Sequence, residues 1–508
     1  MNYKELTPDQ LIKIHTLGEL KASGYESRSV KQELRDNLIH KFEQKLPTFE
    51  GIYGYEDTVI PDIERAILSM HNINLLGLRG QAKTRIARQM TALLDEYVPI
   101  IAGSELNDDP LHPISRYGKE QVAEHGDHTP ISWLHRDERY SEKLATPDVS
   151  IADLIGDVDP IKAASLKLPY SDERVIHYGL VPHAHRSIFV INELPDLQAR
   201  IQVALFNILQ EGDIQIRGFK LRLPLDIQFV FTANPEDYTN RGSIVTPLKD
   251  RIDSQIITHY PKSREIGKQI TAQEADIKEA QQQTVVVDEI AQDLIEQIAI
   301  EARDSEYVDE KSGVSARLTI AAYENIVSAA ERRSLLNGEK QTYIRISDFV
   351  GAIPAITGKV ELVYEGEQEG AGIVAHSLVG KAIRTMFTDY FPKPDDKDKN
   401  KENQENPYAE IIEWFGEGYT IDLLNDLSNT AYEKALNAIP GLANLVKKQQ
   451  PQAKAHAKLF LMEFALHGLA EYSKLSKKAL DTGTRFKDLL SSMFSMPDMG
   501  DLDEDDLN

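Results

Sequence analysis

Three short apolar runs stand out against a chain that otherwise alternates between helical and polar segments: INLLGL (73–78), SIFVINEL (187–194) and IQFVFTAN (227–234). Each is β-branched or aromatic, unbroken, and followed by polar residues. Each therefore predicts a central strand buried on both faces. Helical segments lie between them over 51–262, so the pattern predicts an α/β layer with a parallel sheet. DIQIRGFKLRLP (213–224) alternates on both sides of Arg217-Gly218 and reads as a β-hairpin. Residues 1–50 are helical and charged. The stretch 103–186 is too long for a structureless loop and reads as an inserted subdomain.

After 262 the pattern is helical, with Ile290, Leu294 and Ile298 four residues apart on one face. The expected organisation is an N-terminal helical segment (1–50), an α/β domain (51–262), a helical lid (263–391), a charged linker (392–407) and a C-terminal helical region (408–508). The last ends in the acidic DLDEDDLN.

At 508 residues the chain exceeds one core. No apolar run approaches bilayer length, so no membrane insertion is expected. With no cysteine, disulfides, thiolate zinc sites and cysteine nucleophiles are out of reach, and a cytoplasmic setting is expected. A net charge of −24 repels the phosphate backbone of nucleic acid, and no concentrated basic patch offsets it.

The candidate chemistry begins at GLRGQAKT (77–84), between a predicted strand and the amphipathic TRIARQMTALLDEYV. Gly77, Lys83 and Thr84 match the phosphate-loop pattern, whereas Ala82 stands where such loops usually carry glycine. In such a loop the glycines turn backbone N–H groups to a phosphate, the lysine reaches the β- and γ-phosphates, and the threonine hydroxyl binds Mg²⁺. The nucleotide-binding set is then Gly77, Leu78, Arg79, Gly80, Gln81, Ala82, Lys83, Thr84 and Arg85. The extra methyl of Ala82 matters only if the position requires φ > 0 or a very close phosphate. A plain strand–turn–helix with a surface lysine is the alternative.

SIFVINEL ends in Asn192-Glu193, where a phosphate-loop partner strand usually ends in two acids. Glu193 is a candidate general base. Asn192 can still accept a hydrogen bond from Mg²⁺-bound water, though more weakly than a carboxylate. FVFTANPED ends a third strand in Asn234, whose amide could bridge the attacking water and the γ-phosphate. An Asn-Pro turn would explain the same residues.

Taken in order, GLRGQAKT, SIFVINEL, TANPED, TPLKDRID and SGVSARL resemble an AAA+ ATPase, most of all the MoxR and magnesium-chelatase I-subunit branch. The phrase ERVIHYGLVPHAHRSIFVINELPDLQARIQVALFNILQEGDIQIRG carries the resemblance further, and it covers about 50–385. It implies an AAA+ P-loop parallel sheet with helices on both faces, followed by a helical lid, with ATP and Mg²⁺ as cofactors. It also implies roles. Lys83 and Thr84 are the Walker A pair, Asn192 and Glu193 the Walker B pair, Asn234 sensor 1, Arg251 the arginine finger and Arg317 sensor 2. An ion pair to Asp250 or Asp253 would explain Arg251 otherwise, and Arg241 is a rival finger.

The resemblance further implies a homo-oligomeric ring, most often a hexamer, remodelling a partner protein that carries a von Willebrand factor A domain on a separate chain. A nucleotide-gated scaffold with little hydrolysis and a magnesium-chelatase motor are the alternatives. The histidines at 112, 125, 128 and 135 fit no zinc spacing.

Overall fold

The computed structural model describes residues 7–170, 172–216, 222–235, 243–394, 406–480 and 482–489. The chain divides at Tyr260/Pro261 into two compact units.

The first unit is built on five strands, β1 (Ile73–Leu76), β2 (Tyr140–Leu144), β3 (Ser187–Asn192), β4 (Ile227–Ala233) and β5 (Ser254–Ile257). They lie side by side in the order β5-β1-β4-β3-β2, and every neighbouring pair is parallel. The three predicted central strands are the three in the middle. Their runs are unbroken because both faces are covered, and period-2 alternation sorts the side chains between two cores. Ile188, Val190 and Val230 join the core on one face. Phe189, Ile191, Phe229 and Phe231 join the core on the other. Strand order, parallel register and helices on both faces make this an open parallel α/β sheet.

Two helices cover the first face, α1 (Val30–Glu43) and α2 (Val59–Leu68). Ser29 caps α1 by accepting from Gln32 N at 3.2 Å. Val30, Leu34 and Leu38 of α1 meet Val59, Ile63 and Ile67 of α2 in one core. Residues 30–43 therefore pack on the sheet. They are fastened there by a buried ion pair, in which Arg139 Nη1 and Nη2 each donate to a different Glu33 oxygen at 2.7 Å. Such a forked pair satisfies both partners, which is the condition for burying charge at tolerable cost.

Part of the stretch 103–186 belongs to the main sheet, because β2 is its edge strand. YSEKL was not legible as a strand because an edge strand is half solvated and carries charge. The rest of that stretch is ordered in smaller pieces: 131–135 pairs antiparallel with 97–101, and 156–158 pairs with 176–178. Buried Asp108 organises the loop before them, accepting from Ile114 N, Ser115 N and the hydroxyls of Ser104 and Ser115. His183 closes a short helix (Leu180–His183) and is not on a strand. Residues 213–215 pair antiparallel with 222–224, as the hairpin pattern predicts. The turn at Arg217-Gly218 lies outside the described residues, as do Arg241, most of the charged linker and the acidic tail.

The second unit is helical, with a two-stranded (285–286, 342–343) and a three-stranded (421–424, 476–480, 483–487) sheet. Leu294 and Ile298 of one helix (Glu289–Arg303), Phe387 of another (Ala371–Tyr390) and Phe464 of a third (Ala455–Glu471) share one core. The residues on both sides of the charged linker thus share a core. Glu463 joins them again by accepting from Ile346 N, Ser347 N and Tyr432 Oη. Among the described residues no helix is long and apolar enough to cross a membrane.

Candidate functional site

Parallel strands deliver their C-terminal ends to one edge of the sheet, where ligands of open α/β sheets bind. Here β1 delivers GLRGQAKT, β3 delivers Asn192-Glu193, and β4, lying between them, delivers Asn234. The register fixes how they meet. Gly77 N donates to Ala233 O at 3.0 Å, so the start of the loop and the end of β4 are side by side.

The loop leads into the helix α3 (Lys83–Gln89), continued by a tighter turn to Leu93. Gly80 has φ +73° and Ala82 φ +56°. The position where Ala82 replaces the usual glycine is thus the left-handed one, and the substitution is not the neutral change that a lone methyl suggests. An L-residue there costs about 1–2 kcal/mol. Gly77 is needed for another reason: a Cβ would strike Thr258 Oγ1 and Gln81 Oε1.

Side chains from far along the sequence hold the loop. Thr258 Oγ1, just past β5, donates to Gln81 Oε1 at 2.6 Å. Tyr260 Oη donates to Arg79 O at 2.9 Å. Tyr55 Oη lies 2.7 Å from His259 O and 3.1 Å from Gln81 O. In a trans peptide the N–H points opposite to the carbonyl. Tying the Arg79 and Gln81 carbonyls outward therefore turns the N–H groups of Gly80 and Ala82 to the other side of the loop, as phosphate binding requires. Gln81 is buried and its side chain serves the loop's own architecture. Arg79 is exposed and Arg85 half-buried.

Lys83 curls back over the loop. Its Nζ donates to Gly77 O, to Leu78 O at 2.8 Å and to Asn234 Oδ1 at 2.8 Å. Thr84 Oγ1 lies 3.4 Å from Asn192 Oδ1. Glu193 sits directly after β3 with φ +56° and ψ +48°. A second non-glycine residue is thus held in a costly backbone region at the same edge, the kind of strain that clusters at functional sites.

The donor set fits Mg²⁺ arriving with a phosphate ligand. Thr84 and Asn192 place two neutral oxygens together, which suits a hard cation that keeps much of its water. They bring no charge, and among the described residues no group of three or more acidic or histidine side chains could hold a metal. Mg²⁺ held by these two oxygens would draw most of its counter-charge from a phosphate ligand.

Arg251 does not join this group. Arg251 precedes β5, whose Ser254 is opposite Ile73 at the start of β1, so it belongs to the opposite edge of the sheet from the loop. Its guanidinium donates to Gln210 Oε1 at 2.7 and 3.0 Å and to Pro247 O at 2.7 Å, over the ring of Phe206. Asp253, a candidate ion-pair partner by sequence, instead accepts from Asn72 N. Arg317 opens a helix of the second unit (Arg317–Asn337) and is exposed. The residues that sequence reading missed are Tyr55, Thr232, Thr258 and Tyr260. Nothing local in the sequence marks them.

No protein-family model matches the chain. Its structure is similar to the complex between subunits BchI and BchD of magnesium chelatase (19% identity, 63% of this chain and 97% of that one, TM-score 0.32). It is also similar to Hsp104 with ATPγS and casein (12%, 69% of this chain, 55% of that one, TM-score 0.38). NtrX from Brucella abortus matches as well (13%, 61% of this chain, 58% of that one, TM-score 0.33). The chain therefore spans little more than half the length of two of these three. At such identities and scores the likeness says nothing about activity. The parallel α/β fold rests on the strand order and register described above.

Proposed function

We propose that the chain is an ATP hydrolase, an AAA+ motor of the MoxR-like kind that works as a ring and remodels a partner protein. The observation that carries this is the convergence of Lys83, Asn234, Thr84 and Asn192 through direct side-chain contacts at the ends of three adjacent strands. On this reading the N–H groups of Gly80 and Ala82 and the Lys83 ammonium hold the phosphates of ATP. Thr84 and Asn192 hold Mg²⁺, directly and through water respectively. When bound, Mg²⁺ neutralises charge that develops on the phosphate oxygens. Glu193 takes the proton of the attacking water, and Asn234 orients that water against the γ-phosphate.

Arg251 lies at the far edge of the sheet, which suits delivery to a neighbouring subunit's site rather than its own. A finger supplied in this way ties hydrolysis to assembly, and a hexamer is the expected ring. Arg317 acts as sensor 2 from the lid. The hairpin at 213–224 and the parts of 103–186 outside β2 are the surfaces that reach the substrate. Resemblance to the MoxR branch points to a partner with a von Willebrand factor A domain.

A second reading has support in Asn192 and in the left-handed Ala82: a scaffold that binds nucleotide but scarcely turns it over. A magnesium-chelatase motor is the third. Steady-state ATPase activity across Mg²⁺ concentrations, with Lys83→Ala as blank, separates the first two. The motor reading expects turnover that saturates with Mg²⁺, vanishes in the blank and collapses in Glu193→Gln. Binding without turnover would establish the scaffold instead, and turnover unchanged in Glu193→Gln would remove the assigned base.

A further inference from the structure

The hydroxyl of buried Thr232 stands where the ladder between β3 and β4 stops. The two strands pair up to Ile191 and Phe231. Just beyond that pair, Glu193 N donates to Thr232 Oγ1 at 3.1 Å, and Thr232 Oγ1 donates to Asn192 Oδ1 at 3.2 Å. A backbone N–H can only donate. Thr232 oxygen is therefore the acceptor of that bond, and its own proton is left to point elsewhere. That proton is directed at Asn192 Oδ1, so the amide faces Thr232 with its oxygen and not its NH₂. The same Asn192 oxygen is the one facing Thr84 Oγ1 at 3.4 Å.

A carboxylate at position 192 would need no such help, since its two oxygens are equivalent. An asparagine has one oxygen, and its flipped form would aim two N–H donors at the cation's side of the site. We propose that Thr232 is a positioning residue that fixes the Asn192 amide with its oxygen toward Thr84, and so lets an asparagine serve where a carboxylate is usual. The chain of bonds also braces Glu193 in its left-handed turn. This inference rests on the nucleotide reading above and deepens it.

The test compares Thr232→Val in two backgrounds, the natural Asn192 and Asn192→Asp. Mg²⁺ is titrated by calorimetry into protein holding a non-hydrolysable ATP analogue, a readout independent of turnover. Residues that orient metal ligands commonly carry about tenfold in metal affinity. With the natural Asn192, Thr232→Val should therefore weaken Mg²⁺ about tenfold and Thr232→Ser should restore it. In the Asn192→Asp background the same valine should change Mg²⁺ affinity less than about twofold. A merely structural role would cost the same in both backgrounds, and an equal loss, or no loss, overturns the proposal. Where valine prevents folding, Thr232→Ala removes the hydroxyl with less bulk and the same comparison applies. Failure of the unaltered protein to bind the analogue would instead overturn the nucleotide reading, and this inference with it.

Discussion

Lys83 Nζ donates to Asn234 Oδ1 at 2.8 Å, although the two residues are 151 positions apart in the chain. The contact exists because β1 and β4 are neighbours, so the loop after one strand folds over the end of the other. An ammonium shared between an amide and two carbonyls is held ready to exchange those partners for phosphate oxygens. Lys83→Ala should weaken ATP by roughly 10- to 100-fold, the worth of one or two charge-assisted hydrogen bonds. Asn234→Ala should spare binding and lower kcat by about 100-fold, the loss typical of one positioned polar group at a transition state. Fluorescent-nucleotide titration beside steady-state kinetics separates the two effects. Equal losses of affinity in both variants would mean that Asn234 only parks the lysine.

Ala82 at φ +56° gives a second, opposite prediction. Glycine enters the left-handed region without the clash of a Cβ, but it also enlarges the unfolded ensemble. The first term is about 1–2 kcal/mol and the second about 0.4–1 kcal/mol. Ala82→Gly should therefore be neutral to stabilising, by up to about 1.5 kcal/mol, and should tighten ATP. Ala82→Val places a β-branched residue where such residues are true outliers and should lower the melting temperature and weaken ATP. A melting series with and without nucleotide checks both signs. Loss of stability in the glycine variant would show that the loop does not need its left-handed turn.

What the sequence made legible follows from where each residue's constraint lies. The central strands were readable because burial on two faces writes an unbroken apolar run, and GLRGQAKT was readable because a phosphate loop is written within eight residues. The edge strand at 140–144 was not, because half of it faces water and its charges resemble a loop. Tyr55, Thr258 and Tyr260 brace the loop from outside it, and a pairing made by folding leaves no local pattern. The conformation of Ala82 was posed as a condition by the sequence, and only the backbone answers it. The partners of Arg251, Gln210 and Phe206, lie on one short helix some forty residues upstream, and no spacing rule joins them.

The position of Arg251 beyond the opposite strand ends makes a prediction about mixing. If it serves a neighbour's ATP, Lys83→Ala subunits are dead at their own site but still offer an intact Arg251. Arg251→Ala subunits bind ATP and lack only a neighbour's guanidinium. Each variant alone should lose turnover, by about 10³-fold or more for the arginine. An equimolar mixture should regain a clear fraction of activity at sites of Arg251→Ala subunits that sit beside Lys83→Ala subunits. A mixture as inactive as its components, under conditions where the subunits co-assemble, would place the arginine's role within its own chain or in structure alone.

Glu296, in the second unit, supplies a pH dependence of stability. Its carboxyl accepts from Thr271 Oγ1 at 2.6 Å, and the backbone of Gly267 approaches so closely that a Cβ there would strike Glu296 Oε2. Burial pushes its pKa up to about 7, against the pull of the Thr271 hydrogen bond and of Arg303. A carboxyl whose folded pKa is raised binds more protons in the folded state over the interval between the two values. Stability from this group is therefore complete below the unfolded value near 4.5 and is lost as pH rises through about 7. The loss by pH 8 is on the order of 3 kcal/mol. Glu296→Gln keeps an acceptor for Thr271 and cannot ionise. It should melt at a higher temperature than the unaltered protein at pH 8, and the gap should close toward pH 4.5. A gap that stays constant from pH 4.5 to 8 would mean that Glu296 does not change its protonation in the folded state over that range.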